Sequence, residues 1–292
     1  MNTIQKSSKI SAPFFSVIIP TLNEEIYLPR LLTALKKQTF HSFEVIVIDG
    51  FSEDKTIENA RPYSASLPKL VLRRSKKRGV AHQRNIGAKL AKGKFFIFFD
   101  ADVAPAPTFL QKISAKLHKE NIQFITTWIE PDTHKNSERM ISAAYNVLME
   151  LEKFIGKPYI HGFNTIIGRD LFIKVGQYDE TLTMSEDQEL ALRVCKGGVD
   201  LRILRSPRLT FSLRRFRSEG LLAVVRKQAH ANIYTIIQGK ITKKIMDYPM
   251  GGHVHIEPKK GGVRQYVDRT QKKLMRTVVQ RAKKLSKSSL YI

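Results

Sequence analysis

Three short stretches of the chain are almost continuously apolar and rich in Val, Ile or Phe. They cover residues 16–20, 44–50 and 95–99. Runs of this length and composition are typical of strands that are buried on both faces of a parallel sheet. Polar side chains follow or end each run, and such groups are costly to bury without partners. We therefore expect the strands to end there, at the carboxyl edge where open α/β sheets bind ligands.

A helical pattern lies between the first two of these strands. Within residues 27–38, Leu28, Leu31, Leu32 and Leu35 recur at helical spacing. A strand, a helix and a second strand in this order predict a βαβ unit. The sequence therefore predicts an α/β fold whose ligand edge is marked by polar residues.

The third apolar run leads directly into two carboxylates one residue apart, Asp100 and Asp102. Such a pair can share a divalent cation, and Mg²⁺ or Mn²⁺ is typically held by one or two carboxylates together with substrate phosphates. The alternative is an ordinary polar turn at the end of a strand, because Asp is common in turns. Ser52, which follows the second apolar run, also has a structural explanation, because serine is favoured as the N-cap of a helix.

The segments SVIIPTLNEE, VIVIDGFSEDKT and GVAHQRNIGAKLAKGKFFIFFDAD follow one another in this order. They resemble the family 2 inverting glycosyltransferases, and the resemblance runs from about Phe15 to about Arg217. It implies the GT-A fold, a Rossmann-like, mostly parallel sheet flanked by helices. On this basis we expect a flexible tail over residues 1–13, a GT-A domain over residues 14–212 and a basic, mainly helical extension over residues 213–292.

The resemblance also implies an activity, the transfer of a hexosyl group from a UDP- or GDP-sugar to a hydroxyl of a glycan or lipid-linked acceptor. It implies Asp100 and Asp102 as ligands of Mg²⁺ or Mn²⁺.

Arg84, a planar cation, suits a diphosphate or an acidic partner, or is simply a solvated residue of a basic region. Gly50 and Phe51 depart from the family pattern, because many members have a second Asp, or a Gly followed by Gly, at this place. The departure concerns the pocket for the nucleotide base. The implied nucleotide-sugar residues are Pro20, Thr21, Asn23, Glu24, Asp49, Asp54, Arg84, Asn85, Asp100 and Ala101.

The acceptor side has separate signals. Residues 161–174 resemble the acceptor segment of the family, and the Glu-Asp pair before a predicted helix matches its general base, here Asp187. Two alternatives stay open. His161 is equally well explained as a loop histidine with a hydrogen bond, and Ser185 with Gln188 has the spacing of a helix capping box. The implied acceptor residues are His161, Gly162, Asn164 and Glu186.

Several other classes of site are excluded. Residues 87–94 resemble a P-loop, but five residues separate the glycines and Phe95 replaces the required Ser or Thr. Cys195 is the only cysteine, so we expect it to pack in a helix and expect no disulfide framework. No segment has 18 uncharged apolar residues, and the N-terminal residues lack a signal-peptide core. We expect a cytoplasmic protein with a role in cell-envelope polysaccharide synthesis.

The net charge is +24, and most of it lies in residues 213–292. Residues 265–288 predict a basic amphipathic helix that either binds an anionic membrane surface, which would make the protein peripheral to the inner face of the membrane, or packs on the domain. Residues 213–217 are a candidate cationic clamp for a diphosphate or lipid phosphate. His253, His255 and Glu257 alternate as metal ligands on a strand would, although the surrounding glycines favour a loop or a lid over the donor.

The charge also suggests a nucleic-acid-binding protein, since the isoelectric point is about 10.1. Against this interpretation, the basic residues lack interleaved aromatic residues for base stacking, and we expect no nucleic-acid partner. A third possibility is an inactive glycosyltransferase-like scaffold. Asp100, Asp102 and Asp187 are all present, which favours an active enzyme.

Overall fold

The structure is a computed structural model that describes residues 12–220 and, beyond them, residues 223, 224, 226, 227, 241, 242, 251 and 252. The chain divides into two compact units, Met1–His255 and Ile256–Ile292, and all of the described residues belong to the first. The predicted tail up to residue 11, the basic helix at residues 265–288, and His253, His255 and Glu257 lie outside the described residues.

Eight strands form one sheet within the described residues. They are β1 (Phe15–Thr21), β2 (Phe43–Asp49), β3 (Leu70–Arg74), β4 (Phe95–Phe98), β5 (Val103–Pro105), β6 (Phe124–Pro131), β7 (Thr165–Gly168) and β8 (Arg202–Phe211). Their order across the sheet is β3-β2-β1-β4-β7-β6-β8-β5. The three predicted strands are confirmed as β1, β2 and β4.

The sheet is mixed in direction. Strands β3, β2, β1 and β4 run parallel to one another, as the predicted βαβ unit requires. The β6–β8 pair is also parallel, whereas β7 runs antiparallel to both β4 and β6, and β5 runs antiparallel to β8. The carboxyl ends of β1, β2 and β4 therefore meet at one edge of the sheet, called here the carboxyl edge.

Eight α-helices lie within the described residues, and helices cover both faces of the sheet. They are α1 (Leu28–Lys36), α2 (Thr56–Ala60), α3 (Val80–Leu90), α4 (Phe109–Glu120), α5 (Asn136–Phe154), α6 (Arg169–Lys174), α7 (Glu186–Lys196) and α8 (Arg214–Glu219). Side chains of β1 alternate between two cores: Val17 and Ile19 pack with α1 and α4, and Ile18 packs with α6 and α7. In the part of the chain that the structure describes, none of these helices is long and apolar enough to cross a bilayer.

Helix α3 approaches the sheet closely because it has no side chain at Gly87. A Cβ added there would lie 2.3 Å from the Cγ2 of Ile18 and 3.4 Å from the Cγ1 of Ile48. Atoms cannot stay at the shorter distance, so any larger residue must push the helix outward. This close approach matters for function because the same helix carries Gln83, Arg84 and Asn85, three consecutive buried polar residues.

We expect Gly87→Ala to destabilise the protein. Alanine favours a helix by about 1 kcal/mol over glycine, but overpacking a core typically costs ~1–3 kcal/mol, and this contact is unusually short. The midpoint of urea unfolding should therefore fall. Lys89→Ala, at an exposed position of the same helix, serves as the control and should leave the midpoint nearly unchanged. A higher midpoint for Gly87→Ala would contradict the packing described above.

Candidate active site

The loops that follow β1 and β2 are joined by hydrogen bonds at the carboxyl edge. The backbone N–H of Asn23 donates to the Oγ of Ser52 (2.8 Å), and the N–H of Glu25 donates to the Oδ2 of Asp54 (3.1 Å). Asn23 has a left-handed backbone, with φ of 51°, which brings the first loop back towards the second. Ser52 is thus a bridge between loops and does not cap α2, which begins at Thr56.

Asp49 ends β2 and is fully buried. Its two carboxylate oxygens accept from the N–H of Ser52 at 3.2 Å, and the Nε of Arg74 lies 3.4 Å from one of them. At the neighbouring end of β1, the hydroxyl of Thr21 is buried and has no hydrogen-bond partner among the described residues. Beside Asp49, a cleft is lined by Ile57, Arg61, Leu72, Arg73 and Arg74.

Gln83 connects α3 to the carboxyl ends of β1 and β2. Its side-chain amide donates to the carbonyls of Thr21 (3.0 Å) and Ile48 (2.7 Å). Pro20 and Ala101, both predicted to contact the nucleotide sugar, are buried at the same edge. Sequence analysis did not identify Gln83, although the run of four polar residues from His82 to Asn85 was a usable signal.

Arg84 is the central residue of the site. Its side chain is only 2% exposed. Nη2 donates to the Oδ1 of Asp100 (2.9 Å), Nη1 donates to the Oε1 of Glu186 (2.8 Å), and the guanidinium lies 5.3 Å from the ring centroid of Tyr178. The sequence left Arg84 as a ligand of a diphosphate, a partner of an acidic residue or a solvated residue. The structure shows it buried and paired with two acidic residues. The guanidinium joins the carboxylate after β4 to the first residue of α7.

Asp187 lies next to this ion pair and is fixed by two backbone donors. The N–H of Gly162 donates to its Oδ2 and the N–H of Gln188 to its Oδ1, both at 2.8 Å. A Cβ at Gly162 would lie 2.8 Å from the Nη2 of Arg84 and 3.1 Å from the Oδ2 of Asp187. Gly162, predicted to contact the acceptor, thus lies against Arg84 and Asp187, and a larger residue there would displace their side chains.

The protonation of Asp187 is shifted by its surroundings. Burial raises the pKa of its carboxyl to about 7, and the neighbouring Glu186 carboxylate adds to the rise, while Arg84 opposes it. A carboxyl with this pKa is able both to accept and to release a proton near neutral pH.

The predicted capping box at the start of α7 does not form. Ser185 precedes the helix with a left-handed backbone (φ 59°, ψ 30°), and its side chain makes no cap hydrogen bond. A capping hydroxyl needs an extended backbone at that position to reach the N–H groups of the first turn. The first turn instead contains the acidic side chains Glu186, Asp187 and Glu189, which a helix N-terminus favours.

Arg214, the first residue of α8, forms a second buried ion cluster. Its two terminal nitrogens donate to the two carboxylate oxygens of Glu24, each at 2.7 Å, and its Nε lies 2.9 Å from the Oδ2 of Asp102. The guanidinium also lies over the ring of Tyr27, 4.3 Å from its centroid. Burial raises the pKa of Glu24 to about 7, and Arg214 limits that rise.

The predicted cationic clamp at residues 213–217 is therefore already engaged with acidic residues of the protein. Arg214 binds Glu24 and Asp102, and Arg217 binds Asp132 (2.6 Å) and Glu138 (2.9 Å). Contacts of this kind are set by the fold and were not visible in the local sequence.

The donors offered to a metal ion are the carboxylates of Asp100 and Asp102. Asp100 exposes 39% of its side chain and Asp102 exposes 20%. No cluster of three or more Asp, Glu, His or Cys side chains with metal-binding geometry exists among the described residues. Two hard oxygen donors on a partly exposed turn fit Mg²⁺ or Mn²⁺ whose remaining ligands are phosphates and water, and do not form a complete protein cage.

Two residues predicted to contact the acceptor are buried and held within the protein. The ring of His161 stacks on Phe163, with centroids 5.0 Å apart, and burial lowers its pKa to about 4. Its Nε2 has no hydrogen-bond partner in the described part of the chain, so that atom does not form the hydrogen bond of the loop-histidine alternative, and the acceptor role stays a prediction. The side-chain amide of Asn164 donates to the carbonyl of Thr127 (2.8 Å) and is fully buried.

Asn85 likewise uses its amide inside the protein. Its Nδ2 donates to the carbonyl of Tyr178 (2.9 Å) and to Glu180 (3.0 Å), and its Oδ1 accepts from the N–H of Tyr178 (3.1 Å). His82 adds a contact of 2.7 Å to Glu180. These bonds fix α3 to the turn before α7, so Asn85 helps to position Arg84, and its contact with the nucleotide sugar stays a prediction.

Comparison with known proteins places this site in context. The family described as Glycosyl transferase family 2 matches residues 16–176, more than half of the chain. A glycosyltransferase of Haemophilus influenzae is 28% identical over 196 residues, which cover 61% of this chain and 61% of that protein. The chain thus spans about three fifths of that relative. Asp187 lies beyond the matched family range.

Two solved structures have a similar fold. The mannosyltransferase PcManGT from Pyrobaculum calidifontis, in complex with GDP-Man and Mn²⁺, has a TM-score of 0.58 and 21% identity, and the match covers 79% of this chain and 72% of that one. S. aureus TarS 1-349, in complex with UDP-GlcNAc, has a TM-score of 0.55 and 22% identity, covering 68% and 58%. At such low identity the likeness concerns the fold.

The raised pKa of Asp187 predicts a pH dependence of stability. The folded protein holds this proton up to a pH of about 7, whereas the group's ordinary pKa is 3.8. The resulting stabilisation is complete below about pH 4 and is lost as the pH rises through 7. In Asp187→Asn this loss should disappear, so the melting temperature should fall less between pH 4 and pH 8 than in the wild type.

The control for this comparison is Asp200→Asn, which changes a carboxylate that is 65% exposed. It should leave the pH slope of the melting temperature unaltered. Equal slopes for wild type and Asp187→Asn would mean that Asp187 is ionised throughout this range.

Proposed function

The chain belongs to glycosyl transferase family 2, and from this premise we propose that it transfers a sugar from a nucleotide-diphosphate donor to an acceptor hydroxyl, with inversion at the anomeric carbon. The observation that carries the proposal is the ion network around Arg84. One buried guanidinium binds Asp100, on the proposed donor side, and Glu186, next to the proposed base Asp187. The groups needed for a single displacement are thus held in one rigid unit.

The proposed donor site lies across the ends of β1 and β2. Three features support a nucleotide there: the buried carboxylate of Asp49, the unpartnered hydroxyl of Thr21, and the adjoining cleft with Arg73 and Arg74. Asn23 and Asp54 shape the two loops that border this site. The complexes of the structural neighbours with UDP-GlcNAc and with GDP-Man are consistent with a nucleotide-sugar donor.

Asp100 and Asp102 are the proposed ligands of Mg²⁺ or Mn²⁺, and a Mn²⁺ complex of a structural neighbour is in keeping with this choice. When bound there, the cation would neutralise charge on the leaving nucleotide diphosphate. Arg214 balances the negative charge of Asp102 and Glu24. Arg84 does the same for Asp100, so the carboxylates are held in place before any ligand arrives.

Asp187 is the proposed general base. Two backbone N–H groups orient its carboxylate, and its raised pKa matches a proton acceptor that works near neutral pH. As the acceptor oxygen attacks the anomeric carbon, its proton passes to Asp187 and the bond to the nucleotide diphosphate breaks. No covalent intermediate with the enzyme is needed.

The acceptor is proposed to be a glycan or a lipid-linked molecule.

The catalytic domain, expected over residues 14–212, is proposed to extend at least through Arg214, because α8 supplies that residue to the site.

A thermal-shift screen of UDP-, GDP- and dTDP-sugars, each with and without Mn²⁺, tests the donor proposal directly. We expect one nucleotide class to raise the melting temperature, and to do so more strongly with Mn²⁺. No response to any member of the panel would contradict a nucleotide-sugar donor.

We expect Asp102→Asn to lose the Mn²⁺-dependent part of this stabilisation, because a neutral amide lacks the negative charge with which a carboxylate attracts a divalent cation. The fold should remain intact, as judged by circular dichroism. Asp200→Asn provides a matched surface control and should respond to Mn²⁺ as the wild type does. An undiminished Mn²⁺ effect in Asp102→Asn would remove Asp102 from the metal site.

We expect Asp187→Asn to lower the turnover rate about 10²- to 10⁴-fold, the usual contribution of a general base. The affinity for the donor should change little, because Asp187 acts on the acceptor. Steady-state kinetics with the donor found in the screen would measure both quantities. Normal turnover in this variant would assign Asp187 a purely structural part at the start of α7.

A further inference from the structure

Helix α5 presents an apolar face to solvent. Six of the ten exposed large hydrophobic side chains in the described residues lie between residues 140 and 155. Their spacing places them on a single stripe along the helix. They are Met140 (72% exposed), Val147 (53%), Leu148 (49%), Leu151 (54%), Phe154 (89%) and Ile155 (63%), called here the apolar face of α5.

The opposite side of α5 is attached to the protein through both polar and apolar groups, and Tyr145 packs there against the main core. The side chain of Asn146 donates to the carbonyl of Ile129 and accepts from its N–H, both at 2.9 Å. Ser142 and Met149 are the other buried residues of the helix. A helix of a soluble domain normally points its apolar side inward. Here most of the large apolar side chains of the helix face outward, and an exposed stripe of this kind marks a surface that binds something apolar.

Positive charge borders the apolar face. The indole N–H of Trp128 donates to Glu150 of α5 (3.1 Å), and the guanidiniums of Arg205 and Arg208 lie 5.2 Å and 5.4 Å from the Trp128 ring centroid. Exposed basic residues also lie at both ends of the helix. Arg205 is paired with Glu150 (3.1 Å) and Lys135 with Glu138 (3.8 Å). The cationic rim is therefore defined as Arg139 at one end of the helix, Lys157 at the other and Arg208 beside Trp128.

We propose that the apolar face of α5 docks the protein onto an anionic phospholipid bilayer. Leu, Phe and Ile side chains at the centre of the face would enter the boundary of the acyl chains, as in helices that lie in the membrane interface. Trp128 would lie at the level of the headgroups, where amphipathic rings are favoured. The cationic rim would contact lipid phosphates, and attraction to an anionic surface adds to the binding.

The charge of the rim favours lipid over a second copy of this chain. Such a copy carries a net charge of +24 and would bring a like-charged rim to the same surface. An anionic bilayer satisfies the apolar face and the rim together.

Docking through α5 would bring the proposed acceptor side to the membrane, an implication that rests on the proposed function. Tyr145, on the same helix, has its ring 6.0 Å from that of His161, and the next residue, Gly162, binds Asp187. A lipid-linked acceptor embedded in the bilayer would then have a short path to the proposed base.

Trp128 is the only tryptophan of the chain and borders the apolar face, so its fluorescence reports docking directly. The full-length protein would be mixed with vesicles of phosphatidylcholine and phosphatidylglycerol, with and without brominated acyl chains. We expect a blue shift of the emission and quenching by the brominated lipid. The double variant Leu151→Ser/Phe154→Ser should partition at least about tenfold more weakly, since each buried side chain contributes strongly to transfer from water.

The matched control is Leu90→Ser/Ile173→Ser, which removes two exposed apolar side chains from other helices. It should bind vesicles as the wild type does. Circular dichroism and the nucleotide-sugar thermal shift on both double variants separate loss of docking from loss of fold or of donor binding.

Four results would overturn the proposal. The first is no binding of the wild type to vesicles at low salt. The second is equal partitioning of the two double variants. The third is vesicle binding without quenching of Trp128, which would assign binding to another surface, such as the basic C-terminal extension. The fourth is a wild-type dimer, seen by light scattering, that becomes a monomer in Leu151→Ser/Phe154→Ser, which would assign the face to a second copy.

Discussion

The arrangement of the site depends on one buried cation. Arg84 has almost no contact with solvent, so its charge must be balanced inside the protein. Asp100 and Glu186 provide that balance from two distant segments, the turn after β4 and the start of α7. Because the guanidinium is planar and rigid, the spacing of these carboxylates is fixed by its geometry. Removing one carboxylate from such a cluster typically costs ~3–5 kcal/mol, which ties the site to the stability of the fold.

The parallel half of the sheet was predictable from the sequence because its signals are local. Continuous apolar runs identified β1, β2 and β4, and the leucine spacing identified α1, whose four leucines are all buried. The GT-A fold and the family were recognisable from the same segments, and the comparisons confirm both. The polar residues that follow the strands do meet at the carboxyl edge, since parallel strands end on the same side.

The partners of those polar residues were not predictable. Arg84 and Glu186 are 102 positions apart, and no local pattern shows that they meet. Asn85 and Asn164 have the residue types of ligand-binding side chains, yet the fold uses both amides internally. The left-handed backbone of Ser185 removes the capping box that its spacing suggested. The exposed apolar face of α5 was equally hidden, because a helical pattern does not reveal which side faces the core.

The pairing of Glu24 with Arg214 has a consequence for how the protein is made. The two residues are 190 positions apart, so Glu24 leaves the ribosome long before its partner exists. The sheet from β3 to β4 is able to assemble during that interval, since domains form from the N-terminal side as synthesis proceeds. The backbone of the loop after β1 is held by the loop after β2, but the carboxylates of Glu24 and Asp102 gain their cationic partner only when α8 is present. The ion cluster around Arg214 therefore forms after the strands that support it have been synthesised, as a step separate from formation of the sheet.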